Sequence, residues 1–441
     1  MKSFIRILSL CIVLALAVCL AVVPSSALSF DCDVEQYSDS LLMVNLDTDM
    51  EVFSKEADVK RDPTSLTKIM DYIIVAEHYD DFDTRIDIKQ NLIDRVYDLD
   101  MSCSGVDNYV GSSLSVTDLL YAMMLPAGQD GTMVLAYAVG EGDLNKFVEK
   151  MNEKAKELGC EDTHFTDPFG NHNEDQYTTA QDLYKITKFA MGLPMFSKIC
   201  GSTTYYADDS DEAEPFITTN WLIDSARGGE YNYVYATGIK NATSQQAGRC
   251  LVATAVCDGY AYMCVCLHAP YDENSDENDQ WCMIEAANMF RWAFLGLAFQ
   301  TPATKDTPVC EQIVDHSWDT KSILLTPEYD LNVILPYNYS EGDVKIVPDN
   351  TDPVSAPIKK GDVVTTATVY YRDEPFTSIN LVSSQDVGVS PILFFTDTVG
   401  GILRSPWFLI SVGLIVVLFI VYVSVSSSYA KKRRDRRSKT K

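Results

Sequence analysis

Residues 61–68 read Arg-Asp-Pro-Thr-Ser-Leu-Thr-Lys, and the apolar run Ile69, Met70, Tyr72, Ile73, Ile74 and Ala76 follows directly. The pattern predicts a helix with Asp62 as its cap and Pro63 in the first turn. Ser65 and Lys68 stand at i and i+3 on that helix, on one face and about 5–6 Å apart, so the amine reaches the hydroxyl. A serine hydroxyl is a weak nucleophile at neutral pH. A lysine takes its proton only where burial or cationic neighbours hold the amine partly neutral. The pair predicts a serine acyl-enzyme, although Ser-x-x-Lys recurs by chance in chains of this length and needs support elsewhere.

Later segments supply that support, in order along the chain. Thr117 to Pro126 reads Thr-Asp-Leu-Leu-Tyr-Ala-Met-Met-Leu-Pro. Phe147 to Gly159 is followed by Thr163-His164-Phe165 and Asp167-Pro168-Phe169-Gly170, then by Tyr177-Thr178-Thr179-Ala180-Gln181-Asp182-Leu183. Gly238-Ile239-Lys240 precedes Ala247-Gly248-Arg249-Cys250-Leu251-Val252-Ala253. Together with Asp62 to Lys68 these stretches, from about Ser38 to Pro391, resemble the serine D-Ala-D-Ala carboxypeptidases, the low-molecular-mass penicillin-binding proteins of peptidase family S11. Gly238 to Lys240 resembles the family's lysine-bearing edge strand.

That resemblance implies a role for each matching residue. Ser65 attacks the carbonyl of the penultimate D-Ala, with Lys68 as base. The backbone N–H groups of Ser65 and Thr243 form the oxyanion hole, and Lys240 meets the terminal carboxylate of the substrate. Two of the three motifs depart from the family pattern. Ala127-Gly128-Gln129 stands where the family has Ser-x-Asn, so the hydroxyl that bridges the two lysines is missing, and Gln129 is the remaining hydrogen-bond donor. Lys240-Asn241-Ala242 stands where it has Lys-Thr-Gly, so the Asn241 amide replaces a carboxylate-holding hydroxyl and Ala242 adds a methyl on the strand. Losing a general acid–base group costs about 10²–10⁴ in rate, which implies reduced activity.

Length and composition agree with an exported enzyme. The 441 residues suffice for two or three domains, and 46% hydrophobic with 11% aromatic residues fill a sizeable core. Residues 1–27 read as a signal peptide, with Lys2 and Arg6 before the apolar run Ile7 to Val23 and small residues at Ser25-Ser26-Ala27. Trp407 to Val425 is long enough to cross a bilayer. The basic tail beyond it places the C-terminus in the cytoplasm by the positive-inside rule. Between Leu28 and Ala430 the chain carries 25 basic against 62 acidic residues, a net of −37. Such charge excludes nucleic acid and anionic lipid as partners of the ectodomain. The expected partners are the peptidoglycan pentapeptide, β-lactam antibiotics as acylating inhibitors, and the cytoplasmic membrane.

Neither metal nor cofactor is expected. The five histidines include no His-Glu-x-x-His, the twelve cysteines no Cys-x-x-Cys, and the acidic run Asp272 to Asp279 lacks the glycine and final glutamate of a calcium loop. Ten cysteines lie outside the signal segment, where disulfides are an option. The acidic runs Asp208 to Glu214 and Asp272 to Asp279 read as loops.

Periodicity sets the organisation. Strand-like runs (Ser40 to Val44, Ala247 to Cys257, Tyr260 to Leu267) mix with helix-like ones (Val116 to Met124, Leu144 to Leu158, Ile284 to Phe294). The fold class is therefore α/β, and the resemblance makes it a β-lactamase/transpeptidase-like serine domain over 28–300. A linker is expected from Pro302 to Pro308, then a small all-β domain over 309–395, a transmembrane helix over 405–425 and a tail over 426–441. Three functions stay open: a D-Ala-D-Ala carboxypeptidase, a non-enzymatic wall-binding or scaffold descendant, and another serine acyl-transferring enzyme such as an esterase or β-lactamase. Retained Ser65, Lys68 and Lys240 favour an enzyme, while Ala127 and Ala242 favour the descendant.

Overall fold

The computed structural model describes residues 30–207, 214–272 and 279–438. The expected signal peptide and most of both acidic runs lie outside the described residues. The chain divides into two units, one running to Gln300 with Val333–Ser340 added, the other made of Thr301–Asn332 and Glu341 onward.

The first unit is a mixed α/β body. Its strands are β1 (Ser40–Asn45), β2 (Met50–Lys55), β3 (Ala236–Ser244), β4 (Gly248–Cys257) and β5 (Tyr260–Ala269), in the antiparallel order β2-β1-β5-β4-β3. The central strands are apolar on both faces because both are covered. Leu42, Val44, Val252, Val265 and Leu267 pack into the main core. That core also holds residues of α1 (Lys68–His78), α2 (Val116–Met124), α3 (Gln129–Val139), α4 (Leu144–Glu157) and α5 (Ala180–Met191). On the other face lies α6 (Trp281–Gly296), where Phe294 meets Tyr262 edge-on at 5.3 Å. Two helices begin on caps that their sequences announce: the Ser115 hydroxyl accepts from Asp118 in a capping box, and Thr179 accepts from Asp182. β3 is an edge strand, so one row of its backbone groups is left for a substrate.

All ten described cysteines are free thiols. Cys264 and Cys266 alternate on β5, buried with their sulfurs 3.6 Å apart, as small core residues rather than a bridge.

The second unit is a six-stranded sheet made of β6 (Cys310–Asp315), β7 (Ser322–Pro327), β8 (Val344–Pro348), β9 (Val354–Ser355), β10 (Val363–Tyr371) and β11 (Glu374–Ser383), in the order β8-β10-β11-β7-β6-β9. Val314, Ile323, Leu325, Ala367 and Leu381 form its core, while Ile313 and Leu324 point to solvent on the alternate positions. The sequence expectation of a linker from Pro302 needs correction. Leu297–Ala303 is a strand, and Pro302 lies inside it.

Two helices end the described chain, α7 (Pro391–Arg404) and α8 (Pro406–Ser438). Within α8, Pro406–Ser427 has a mean hydropathy of 2.9 and no buried share, which by length and composition suits a membrane span.

Candidate active site

Ser65 is held in a single 3₁₀ turn, Thr64–Thr67, that runs straight into α1 at Lys68. The sequence pattern predicted an α-helix from this point. The tighter turn is the finding, and with three residues per turn it sets Ser65 and Lys68 over one another. The expected cap shifts by one residue: Pro63 stands at the N-cap with no side-chain cap bond, while Asp62 Oδ1 accepts from the Thr64 N–H at 2.8 Å in the turn before it. Thr64, just before the nucleophile candidate, sits at φ +41°, a conformation that costs free energy in a residue with a Cβ.

Lys68 is fully buried. Its Nζ donates to Gln129 Oε1 at 2.8 Å and to Thr132 Oγ1 at 2.7 Å, both on the first turn of α3. Among the described residues no hydrogen bond joins it to Ser65. Burial lowers the Lys68 ammonium to about 8, against the raising effect of Asp71, Asp130 and Asp167. Lys240, 1% exposed on β3, falls to about 7 for two reasons, burial first and the charge of Lys68 second. Two buried ammonium groups this close compete for protonation, so Lys68 and Lys240 titrate as a pair.

The altered motifs find partners. Ala127 turns the chain at φ +62° into α3, and Gly128 lets the Ser104 side chain lie where a Cβ would be, 2.1 Å from its Oγ. Ser104 in turn donates to buried Asp130, which also accepts from the N–H groups of Ser104, Val106 and Gly131. Gln129 Nε2 donates to Phe169 O at 3.3 Å. Asn241 is partly exposed, and its Oδ1 accepts from Thr219 at 2.8 Å, which leaves the two amide N–H groups as donors. Ala242 is buried on β3, and Thr243 is exposed beside Arg249.

A loop that carried no assigned role turns out to brace the turn that holds Ser65. Asp167 Oδ1 accepts from the N–H groups of Phe169, Gly170 and Asn171, which folds the loop back onto the 3₁₀ turn. Gly170, at φ +78°, approaches so closely that a Cβ would lie 2.0 Å from Thr64 O and 2.9 Å from the Ser65 nitrogen.

Sequence reasoning missed Thr132, Asp130, Gly170 and Asp71. Thr132 was the most accessible of these, since it stands three residues after Gln129 and so on the same helix face. Asp71, one turn beyond Lys68, is buried with neither carboxyl oxygen hydrogen-bonded among the described residues. Burial drives its carboxyl well above the ordinary carboxylate range, opposed by Lys68. A carboxyl whose folded value is raised holds more protons folded than unfolded, so stability falls as pH rises from about 4 through the raised value. Asp71→Asn carries no such loss. Its melting temperature should exceed that of the wild type at pH 8, and the gap should close near pH 4. Identical melting at both pH values would show that Asp71 is solvated.

The family model for D-alanyl-D-alanine carboxypeptidase matches residues 28–271, more than half of the chain. The chain belongs to this family. It is accordingly a serine peptidase and a D-Ala-D-Ala carboxypeptidase by family. Residues 300–389 match the C-terminal domain of penicillin-binding protein 5. D-alanyl-D-alanine carboxypeptidase DacF of Bacillus subtilis is 24% identical over 360 residues, 81% of this chain and 87% of that protein. The D-alanyl-D-alanine carboxypeptidase of Streptomyces sp. K15 is 30% identical over 228 residues, 49% of this chain and 75% of that one. In fold, penicillin-binding protein 5 of Haemophilus influenzae matches with a TM-score of 0.61 and 22% identity, over 81% of this chain and all of that one.

Proposed function

We propose that this D-Ala-D-Ala carboxypeptidase trims the terminal D-Ala from peptidoglycan stem peptides through a Ser65 acyl-enzyme. One observation carries the reading: Ser65 stands a turn before a buried lysine whose ammonium is lowered to about 8. In the first step the Ser65 proton passes to the neutral Lys68 amine, Oγ bonds to the penultimate D-Ala carbonyl carbon, and the carbonyl electron pair moves onto oxygen. The N–H groups of Ser65 and Thr243 meet that oxyanion; first-turn N–H groups have no intrahelical acceptor. Collapse breaks the C–N bond, and Lys68 returns its proton to the leaving D-Ala amine. Water then cleaves the ester with Lys68 again as base. In this reading Lys240 and the Asn241 amide hold the substrate's terminal carboxylate, and the free edge of β3 pairs with its backbone.

Gln129, standing in for asparagine, still reaches Lys68, which supports an enzyme over a scaffold. The same Ser65 makes β-lactams the expected acylating inhibitors. Incubation with a penicillin should add one drug mass to the intact protein, and a D-Ala-D-Ala peptide should release D-Ala. Absence of both would overturn the reading.

The two lysines also set a pH dependence. Attack needs Lys68 neutral, and carboxylate binding needs Lys240 charged, yet burial leaves Lys68 at about 8 and Lys240 at about 7. The competent form is thus a minority at every pH. kcat/KM should rise up to about pH 7, stay nearly flat to about 8 and fall above it, with both apparent values belonging to the pair. Lys240→Gln should remove the falling limb and move the rising limb upward, because Lys68 loses a cationic neighbour. A flat profile from pH 6 to 9 would refute this.

Pro406–Ser427 supports a single-pass anchor, with the acidic bulk outside and the basic tail in the cytoplasm. Protease added to protoplasts should then remove the folded units and spare the tail; protected units would reverse the topology.

A further inference from the structure

The Lys68 amine has two hydrogen-bond acceptors, and one of them belongs to no motif the sequence revealed. Thr132 is 1% exposed on the inner face of α3. Its hydroxyl donates to Gly128 O, four residues back, at 2.9 Å. With its only proton committed there, Oγ1 is left as an acceptor, and the 2.7 Å contact to Lys68 Nζ must be an N–H donated by the lysine. Gln129 Oε1 takes a second N–H at 2.8 Å. A neutral amine carries two hydrogens and one lone pair in tetrahedral array about nitrogen. Once both hydrogens are held, the lone pair has one direction left.

Building on the acyl-enzyme reading above, we infer that Thr132 is a positioning residue that, together with Gln129, fixes the lone pair of neutral Lys68 for removal of the Ser65 proton. Position 127, where the family resemblance would place a hydroxyl, is alanine, so Thr132 is the hydroxyl that Lys68 meets among the described residues. The charged and titratable groups around Lys68 are Asp71 on its own helix, Asp130 on α3, Asp167 on the bracing loop and Lys240 on β3. None of them hydrogen-bonds its amine among the described residues, so orientation falls to the two neutral acceptors.

The test compares Thr132→Val with Thr132→Ser in the full-length protein. Valine keeps the branched shape and burial but removes the acceptor; serine keeps the acceptor and removes a methyl. Penicillin acylation is followed by intact mass across pH 5–10, and folding by melting temperature. The valine variant should acylate about 10–100-fold more slowly at its plateau, as misdirected catalytic groups do. Its falling limb, which follows Lys68 as the higher of the two values, should also move down by roughly one unit, because the ammonium loses an acceptor that favours the charged form. The serine variant should restore both.

Wild-type rate and limb in a folded Thr132→Val would overturn the proposal. So would equal loss in both variants with no movement of the limb, since that reports packing alone. Should the wild type form no adduct at all, the acyl-enzyme reading fails by itself. The Thr132 contact is then judged by NMR titration of ε-¹³C-labelled Lys68: a lower value in Thr132→Val supports the contact, and an unchanged value removes it.

Discussion

Ser65→Ala should leave the protein folded, without a penicillin adduct and without D-Ala release. In the proposed mechanism the Ser65 hydroxyl is the atom that bonds to the carbonyl carbon and the source of the proton that Lys68 takes. The loss should reach at least about 10⁴-fold, the scale on which nucleophile removal acts in serine enzymes. Melting should change little, since Ser65 is partly exposed and no hydrogen bond of its hydroxyl is lost among the described residues. Intact mass after penicillin treatment is the measurement. An adduct that persists in Ser65→Ala, or one that maps to Ser102, Ser104 or Ser113, would move the nucleophile elsewhere.

Gly170→Ala should cost both stability and rate, although the residue has no chemistry of its own. A new Cβ would meet Thr64 O at 2.0 Å and the Ser65 nitrogen at 2.9 Å, and these are backbone atoms that cannot swing aside. Either the bracing loop lifts, breaking the Asp167 and Phe169 contacts, or the 3₁₀ turn shifts and carries Ser65 with it. We expect a loss of about 2–4 kcal/mol in stability from the overlap and the left-handed backbone together. Acylation should slow by roughly 100-fold, the cost of displacing a reacting group by about 1 Å. Gly159→Ala supplies the control. That glycine also has positive φ, at +72°, but nothing lies within 4 Å of the added Cβ, so it should cost only about 1 kcal/mol and leave acylation unchanged. Equal effects at the two positions would show that strain, not the brace, governs Gly170.

What could be read from residues alone was whatever depends on near neighbours in the chain. Ser65, Lys68 and the apolar run after them are adjacent, so helical spacing placed them. Ser115 with Asp118 and Thr179 with Asp182 announce helix starts in the same way. The strand runs Ser40 to Val44 and Tyr260 to Leu267 were legible because they are apolar throughout. Even here local rules had limits: the pattern could not tell a 3₁₀ turn from an α-turn at Ser65, nor that Pro302 sits in a strand.

Tertiary structure decided everything that joins distant segments. Lys68 and Thr132 are 64 residues apart, Asn241 and Thr219 are 22 apart, and Gly170 meets Thr64 across more than a hundred. The fate of the altered motifs belongs to this second kind. From the sequence, Ala127 and Asn241 were losses; in the fold, a hydroxyl one helical turn further on and a threonine from another loop stand beside the same groups. The values of the two lysines, about 8 and about 7, are likewise properties of burial and mutual repulsion, which exist only once the sheet edge and the helices have closed around them.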